Sequence, residues 1–163
     1  MTRAEKMKSK PNIIIVHDDK RVLKQLKKLL TGKTEYNVDT FVSAQKAITY
    51  IKSNDIELVI SNHDMPNMDG ITFLSKLGKL TPQIPRMILA ESSEKEKAME
   101  AVNDIGVFQY IEKPWNEDDL LIVLRNGLEN QYLKKTLGEK ISEIKKTISV
   151  LDGLQKEIMK AFV

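Results

Sequence analysis

The chain has 163 residues, enough for one domain of ordinary size with an appended segment. Hydrophobic residues make up 41% of it and charged residues 30%, a balance that supports a core and excludes a disordered chain. There is no cysteine, which excludes disulfides, thiolate zinc sites and thiol nucleophiles and fits a cytoplasmic location. The net charge of +3 is dispersed over amphipathic segments, and the apolar runs are short. We therefore expect neither nucleic-acid binding nor a membrane span.

Short apolar runs alternate with amphipathic segments from residue 12 to residue 130. The runs predict strands at residues 12–16, 36–42, 56–60, 86–89 and 107–111. Capping residues and apolar spacing predict helices that begin near Lys20, Ser43, Asp69, Ser93 and Asn116. This alternation predicts an α/β domain at residues 12–130, with a parallel sheet covered on both faces. We expect a flexible tail at residues 1–11 and a helical extension at residues 131–163.

Polar and charged side chains follow the expected strands. In parallel sheets of this kind, the functional site lies at the carboxyl ends of the strands, near the point where strand order reverses. The candidates at that edge are His17, Asp18, Asp19, Asn62, His63, Asp64, Ala90, Glu91, Ser92 and Lys113.

Three motifs at consistent spacing resemble one known family. Residues 65–70 read M-P-N-M-D-G, residues 110–115 read Y-I-E-K-P-W, and residues 16–23 are similar to an acidic V-D-D-E opening. Together they resemble the receiver domain of response regulators, in its K-P-W variant. The resemblance implies a flavodoxin-like (βα)5 fold with strand order 2-1-3-4-5. It also implies a cis peptide bond between Lys113 and Pro114.

The resemblance implies five functional side chains, and three of them are changed. A working receiver holds Mg²⁺ with two acidic groups, but here His17 replaces the first and only Asp18 is kept. The phosphoacceptor aspartate is replaced by Asn62, and the hydroxyl that binds the phosphoryl oxygens is replaced by Ala90. The cationic Lys113 is retained. A carboxamide is a poor nucleophile that cannot form an acyl phosphate, so we expect a pocket that is not phosphorylated.

Two further positions match the family's pattern. Asp19 occupies the acidic position after Asp18, and Tyr110 resembles the family's aromatic switch residue. We expect no cofactor, although Asp18 leaves open a weak interaction with Mg²⁺.

Other uses of the pocket stay open at this stage. Asp64, two residues beyond the lost acceptor, is an alternative phosphorylation site, although its side chain should point away from the pocket. His17, Asp18 and His63 could together bind a transition metal. The alternative is that His63 is only solvated or hydrogen-bonded to nearby residues. We favour a static polar pocket in which Lys113 pairs with Asp18.

The C-terminal segment carries apolar residues at alternating spacings of three and four. This spacing is typical of a heptad seam, and it predicts a parallel two-stranded coiled coil and hence a homodimer. The seam consists of Leu137, Ile141, Ile144, Ile148, Leu151, Gln155, Ile158 and Phe162. Alternatively, the helix folds back on the receiver or breaks into a hairpin at Gly138.

These features predict a signalling regulator and not an enzyme. We expect it to act without phosphorylation, by dimerisation and by contact with a protein partner such as a kinase or an output domain. The alternative is a pocket that binds a metal or small ligand, or a chain that regulates a catalytic output domain.

Overall fold

The computed structural model describes residues 10–162, which form an alternating series of strands and helices. The strands are β1 (Asn12–Val16), β2 (Asn37–Phe41), β3 (Leu58–Asn62), β4 (Arg86–Ala90) and β5 (Gln109–Glu112). The helices are α1 (Lys20–Lys33), α2 (Ala44–Ser53), α3 (Gly70–Leu80), α4 (Lys95–Asp104) and α5 (Glu117–Ala161), with a 3-10 turn at Ser92–Glu94. Apart from Lys10 and Pro11, the expected tail at residues 1–11 lies outside the described residues.

The five strands form one parallel sheet in the order β2-β1-β3-β4-β5, which confirms the predicted fold. The register aligns the strand ends, because Val16 lies beside Ser61, Asn62 beside Leu89, and Ala90 beside Glu112. The residues that follow β1, β3, β4 and β5 therefore meet at one edge of the sheet.

The core lies on both faces of the sheet because side chains alternate along each strand. Ile14 and Val16 belong to the cluster that also contains apolar residues of α2, α3 and α4. Ile13 and Ile15 belong to the cluster that contains residues of α1 and the first turns of α5. Each buried aliphatic side chain contributes about 1.5–3 kcal/mol. These two layers hold the functional edge in place.

Several predicted boundaries are wrong by one or two residues. β3 runs two residues beyond the expected end at Ile60, so Asn62 belongs to the strand and not to the following loop. β5 begins at Gln109 instead of residue 107. At the end of β3, the polar residues Ser61 and Asn62 are buried and paired in the sheet, which the apolar run alone could not reveal. At β5, the N–H of Val107 donates to the carbonyl of Ala101 in α4, so the strand begins later.

The start of α4 also differs from the prediction. Ser93 does not cap it, because Ser93 lies within the 3-10 turn. Glu91 and Glu94 form a capping box around this 3-10 turn, in which the backbone N–H of Glu91 donates to Glu94 Oε1 at 2.9 Å. The N-cap residue of α4 is Glu94, and its side chain makes no capping hydrogen bond to α4. The predicted caps Ser43 and Asp69 accept hydrogen bonds from the backbone N–H groups of Lys46 and Thr72.

Helix α5 continues through Gly127, Gly138 and Gly153 without a break. The chain therefore does not form a hairpin at Gly138. By its contacts the chain divides into one unit that ends at Gln131 and a second that begins at Tyr132. Among the described helices, none combines the length and the apolar character that a membrane span requires.

Candidate functional site

The expected site residues meet at the carboxyl edge of the sheet. Backbone hydrogen bonds extend the strand pairing into this edge: the N–H of His17 donates to Phe41 at 3.1 Å, that of His63 to Leu89 at 2.8 Å, and that of Lys113 to Ala90 at 3.0 Å. The peptide bond between Lys113 and Pro114 is cis.

The side-chain amide of Asn62 occupies the centre of the pocket. Asn62 is 3% exposed, and its Nδ2 donates to Asp18 Oδ1 at 3.1 Å and to the backbone carbonyl of Asp64 at 2.7 Å. The opposite amide orientation would bring Oδ1 against these two acceptors, so the hydrogen bonds fix the orientation. The resemblance to receivers implies metal ligands from acidic groups after β1 and, in addition, from a backbone carbonyl two residues after the phosphoacceptor. The amide nitrogen therefore lies between two oxygens that correspond to metal ligands.

The loop that follows Asn62 is held close to the strand end. The N–H of Gly70 donates to the carbonyl of His63 at 2.8 Å. A Cβ atom at residue 70 would collide with the backbone carbonyl of Asn62, so glycine is required for this approach. Asp69 caps α3, and its hydrogen bond with Thr72 lowers the pKa of Asp69. The M-P-N-M-D-G motif thus packs the start of α3 against the pocket.

His17 lies between the two charged groups that we expected to pair. Its Nε2 lies 3.5 Å from Lys113 Nζ, and its Nδ1 lies 3.1 Å from Asp18 Oδ1 and 2.9 Å from the backbone nitrogen of Asp19. Burial, and then the charge of Lys113, lower the pKa of His17. The backbone N–H of Asp19 donates to Nδ1, so a neutral imidazole carries its proton on Nε2, on the side that faces Lys113.

One expectation about this pocket needs correction. Lys113 does not pair directly with Asp18, because the buried imidazole of His17 stands between them; the ammonium group lies 4.0 Å from Glu91 Oε1 instead. The lowered pKa of His17 favours the neutral ring near pH 7.

The position after β4 offers only a methyl group. Ala90 is fully buried and has no side-chain donor. On the adjacent strand, Tyr110 is half-buried, and its hydroxyl makes no hydrogen bond of good geometry to the described residues. Burial, followed by the nearby Glu112 carboxylate, raises the pKa of Tyr110 to about 12. The phenol therefore stays neutral at physiological pH.

The side chains of the two remaining acidic candidates take no part in the hydrogen bonds of the pocket. Asp19 caps α1: its carboxylate accepts from the N–H of Arg21 at 2.8 Å and lies 3.3 Å from Arg21 Nη2. Its position directly before a helix could have indicated this cap. The side chain of Asp64 is exposed, and only its backbone carbonyl faces Asn62.

The pocket residues do not fit Mg²⁺. This cation requires oxygen ligands in octahedral geometry, but the Asn62 amide directs N–H groups at Asp18 and at the Asp64 carbonyl. A transition-metal site of His17, Asp18 and His63 does not form either, since His63 Nδ1 lies 2.6 Å from Glu94 Oε2. Within residues 10–162, no cluster of three or more histidine or acidic side chains is arranged to hold a metal ion.

The expected heptad seam is exposed along the second unit of the chain. Ile144, Ile148 and Leu151 are 57%, 53% and 58% exposed. Phe162 at the end of the seam is 87% exposed. Two further apolar residues, Leu154 and Met159, flank the seam at 50% and 62% exposure.

Comparison with known proteins identifies the fold and the family. The family described as the response regulator receiver domain matches residues 13–125, more than half of the chain. The signal receiver domain of an HD domain-containing protein from Pseudomonas fluorescens Pf-5 has a TM-score of 0.71 and 30% identity, and covers 76% of this chain and 98% of that one. A structure described as adenylate cyclase from Rhodopirellula baltica has a TM-score of 0.77 and 27% identity, and covers 82% of this chain and 98% of that one.

The curated relatives include longer transcriptional regulators. The hydrogenase transcriptional regulatory protein HoxA of Bradyrhizobium diazoefficiens is 28% identical over 153 residues, which are 90% of this chain and 31% of HoxA. The transcriptional regulatory protein ZraR of Escherichia coli K12 is 32% identical over 121 residues, which are 74% of this chain and 27% of ZraR. The chain thus spans less than a third of the length of either relative. It belongs to the response regulator receiver domain family, the regulatory domains of two-component signal transduction.

Proposed function

We propose that this chain is a receiver module that acts without phosphorylation, through protein contacts and through dimerisation of its C-terminal helix. The carrying observation is the Asn62 amide, which donates to Asp18 and to the Asp64 carbonyl. These hydrogen bonds use the oxygens that a metal-dependent phosphoryl transfer would need. The pocket therefore satisfies these oxygens with hydrogen bonds, without a cation.

The rest of the pocket supports the same conclusion. An uncharged amide cannot replace the attacking carboxylate, and Ala90 cannot donate a hydrogen bond to a phosphoryl oxygen. The Lys113 ammonium contacts His17 and Glu91, so its charge is partly matched within the protein. A phosphoryl group would therefore meet neither a nucleophile nor a hydroxyl donor.

Intact-mass measurement after incubation with acetyl phosphate and Mg²⁺ tests this proposal. We expect the mass of the native chain to stay unchanged. The matched control is a variant carrying His17→Asp, Asn62→Asp and Ala90→Thr, which restores the three lost groups and should gain one phosphoryl group. A phosphoryl adduct on the native chain, at the loop containing Asp64 or elsewhere in the pocket, would contradict the proposal.

The exposed seam supports dimerisation. Monomeric proteins rarely leave a contiguous apolar surface of this kind in water. In a parallel dimer each buried Ile or Leu would contribute about 1.5–3 kcal/mol. Gln155 would face its counterpart, where paired amides can hydrogen-bond at some cost in stability.

Sedimentation equilibrium at micromolar concentration tests the dimer. We expect the full chain to be dimeric and the variant with Ile144→Asp and Ile148→Asp to be monomeric, because both charges would be buried in the seam. The matched control places two aspartates on the exposed face of the same turns, by Ser142→Asp and Lys146→Asp, and should stay dimeric. A native monomer, or a dimer that survives the seam variant, would show that this surface does not carry the association.

A second role is favoured by the comparison with longer regulators. HoxA and ZraR extend far beyond the region that matches this chain. We propose that the module binds an output domain or a kinase in the cytoplasm. Co-purification with full-length partners would identify which of these two it contacts.

A further inference from the structure

Two loops at the pocket edge are connected by a side-chain contact that the sequence did not reveal. His63 follows Asn62 at the end of β3, and Glu94 ends the 3-10 turn before α4. His63 Nδ1 lies 2.6 Å from Glu94 Oε2, and the two side chains are only 12% and 20% exposed. Neither ring nitrogen of His63 makes a hydrogen bond of good geometry to the described residues. Glu94 Oε2 therefore lies close to Nδ1 but away from the direction of a linear hydrogen bond. His63 and Glu94 therefore form a close polar contact that is largely shielded from solvent.

Glu94 is held from a second side as well. Its Oε1 accepts the backbone N–H of Glu91 at 2.9 Å, and its own N–H donates to the Glu91 carbonyl at 2.9 Å. The segment between β4 and α4 is thus held by its own hydrogen bonds between Glu91 and Glu94, and Glu94 also contacts His63, the residue that follows Asn62. This fixes the beginning of α4.

A buried arginine fixes the other end of α4. Arg86 is 6% exposed, and its Nη2 donates to the carbonyls of Ile105 at 2.6 Å and Gly106 at 3.2 Å. Its Nη1 donates to the carbonyl of Leu74 in α3 at 2.7 Å. A guanidinium at the carboxyl end of a helix is favoured by the helix dipole. Gly78 makes room for it, because a Cβ atom there would come within 2.5 Å of Nη1.

We infer that α4 is clamped at both ends, by His63 and Glu94 at its start and by Arg86 at its end, so that the module presents one fixed face. In a working receiver, the phosphoryl group is contacted by the hydroxyl after β4, which links the ends of β3 and β4. Here the His63–Glu94 contact links the same two regions permanently. The inference rests on the proposed function, since it explains how a receiver without phosphorylation holds a single conformation.

Amide hydrogen exchange of the full chain tests the clamp. His63→Leu removes the contact with Glu94 and keeps an apolar side chain of similar size. We expect the amides of residues 91–98 to exchange about tenfold faster in this variant, while those of β1 and β3 keep their native protection. Arg86→Met should raise exchange at residues 102–107 in the same way. Glu100→Ala, an exposed change further along the same helix, is the matched control and should leave exchange at residues 91–98 unchanged.

A second variant keeps the test decisive if His63→Leu does not fold. Glu94→Gln retains an oxygen for the Glu91 N–H but removes the charge that faces His63, and it should also raise exchange at residues 91–98. Native exchange rates in the folded variants would overturn the inference. A phosphoryl adduct on the native chain would instead overturn the proposed function, whatever the exchange rates are, so the two failures are distinguishable.

Discussion

Replacing the central amide by its isosteric acid should destabilise the domain and make it dependent on magnesium. Asn62→Asp changes no volume but removes both hydrogen bonds that Nδ2 donates, at 3.1 Å to Asp18 and at 2.7 Å to Asp64. The new carboxylate then faces one carboxylate and one carbonyl oxygen. Introducing the acid of a working receiver should therefore cost stability before it restores any chemistry.

The size of this loss follows from the contacts. The hydrogen bond to charged Asp18 contributes about 1.5–3 kcal/mol and the one to the carbonyl about 1 kcal/mol. Two unit charges 3.1 Å apart repel by about 5 kcal/mol at an effective dielectric constant of about 20, and solvent screens this strongly because Asp18 is 42% exposed. We expect a net loss of about 2–4 kcal/mol in the free energy of unfolding at pH 7.

Urea denaturation with and without Mg²⁺ measures both effects. If the Asn62→Asp variant binds Mg²⁺ with a dissociation constant of about 1 mM, about 10 mM Mg²⁺ should raise its free energy of unfolding by about 1.4 kcal/mol. The free energy of unfolding of the native chain should not change with Mg²⁺. Combining Asn62→Asp with Asp18→Asn exchanges donor and acceptor, and should recover part of the loss without Mg²⁺. If Asn62→Asp alone unfolds like the native chain in magnesium-free buffer, the amide does not play the role assigned to it. Phosphorylation should remain weak in the single variant, because His17 and Ala90 are unchanged.

Three further predictions concern other parts of the chain. Because the folded-state pKa of His17 is lowered from 6.5, the unfolded chain binds the proton first as the pH falls. The free energy of unfolding should therefore decrease below about pH 6.5, by at most about 1.4 kcal/mol per pH unit. Urea titrations at pH 5–8 should show that His17→Gln removes this part of the pH dependence. Gly78→Ala should lower thermal stability by displacing the Arg86 guanidinium, while Gly153→Ala, with open space around it, should not. Lys140→Glu should strengthen the dimer about tenfold in sedimentation equilibrium.

The sequence predicts the fold well because its signals are local and repeated. The run from Ile13 to Val16 and the motif at residues 65–70 fix a strand and a loop at known spacing, and the structure confirms the strand order. The strand ends were less accurate, since Ser61 and Asn62 are polar yet fully paired in the buried sheet. Hydrophobic periodicity carries no information about such residues.

The composition of the pocket was predictable, but its contacts were not. Motif positions placed His17, Asn62 and Lys113 at one edge, and the structure brings them there. Which partner each group takes depends on side-chain direction, so the sequence could not show that His17 separates Lys113 from Asp18. The His63–Glu94 contact joins residues far apart in the chain, and no local pattern indicates it.

The orientation of the paired helices can be tested at the charged residues that flank the seam. Lys140 precedes Ile141, and Lys145 follows Ile144, so in a parallel dimer in register each Lys140 would face Lys145 of the other copy. The pair of Lys140 with Glu143 within the helix, at 3.5 Å and 68% exposed on both sides, offsets little of this repulsion.

Lys140→Glu would convert two repulsive contacts per dimer into two attractive ones. Each exposed pair is worth about 0.3–0.5 kcal/mol, so the change in sign at two sites gives about 1.4 kcal/mol, or tenfold in the dissociation constant. In an antiparallel dimer Lys140 would not face Lys145, and the variant should not bind more tightly. Lys146→Glu has the same change in charge on the outer face and serves as the control. Tightening that occurs only with Lys140→Glu and disappears in high salt would support the parallel arrangement, whereas equal affinities for both variants would exclude it.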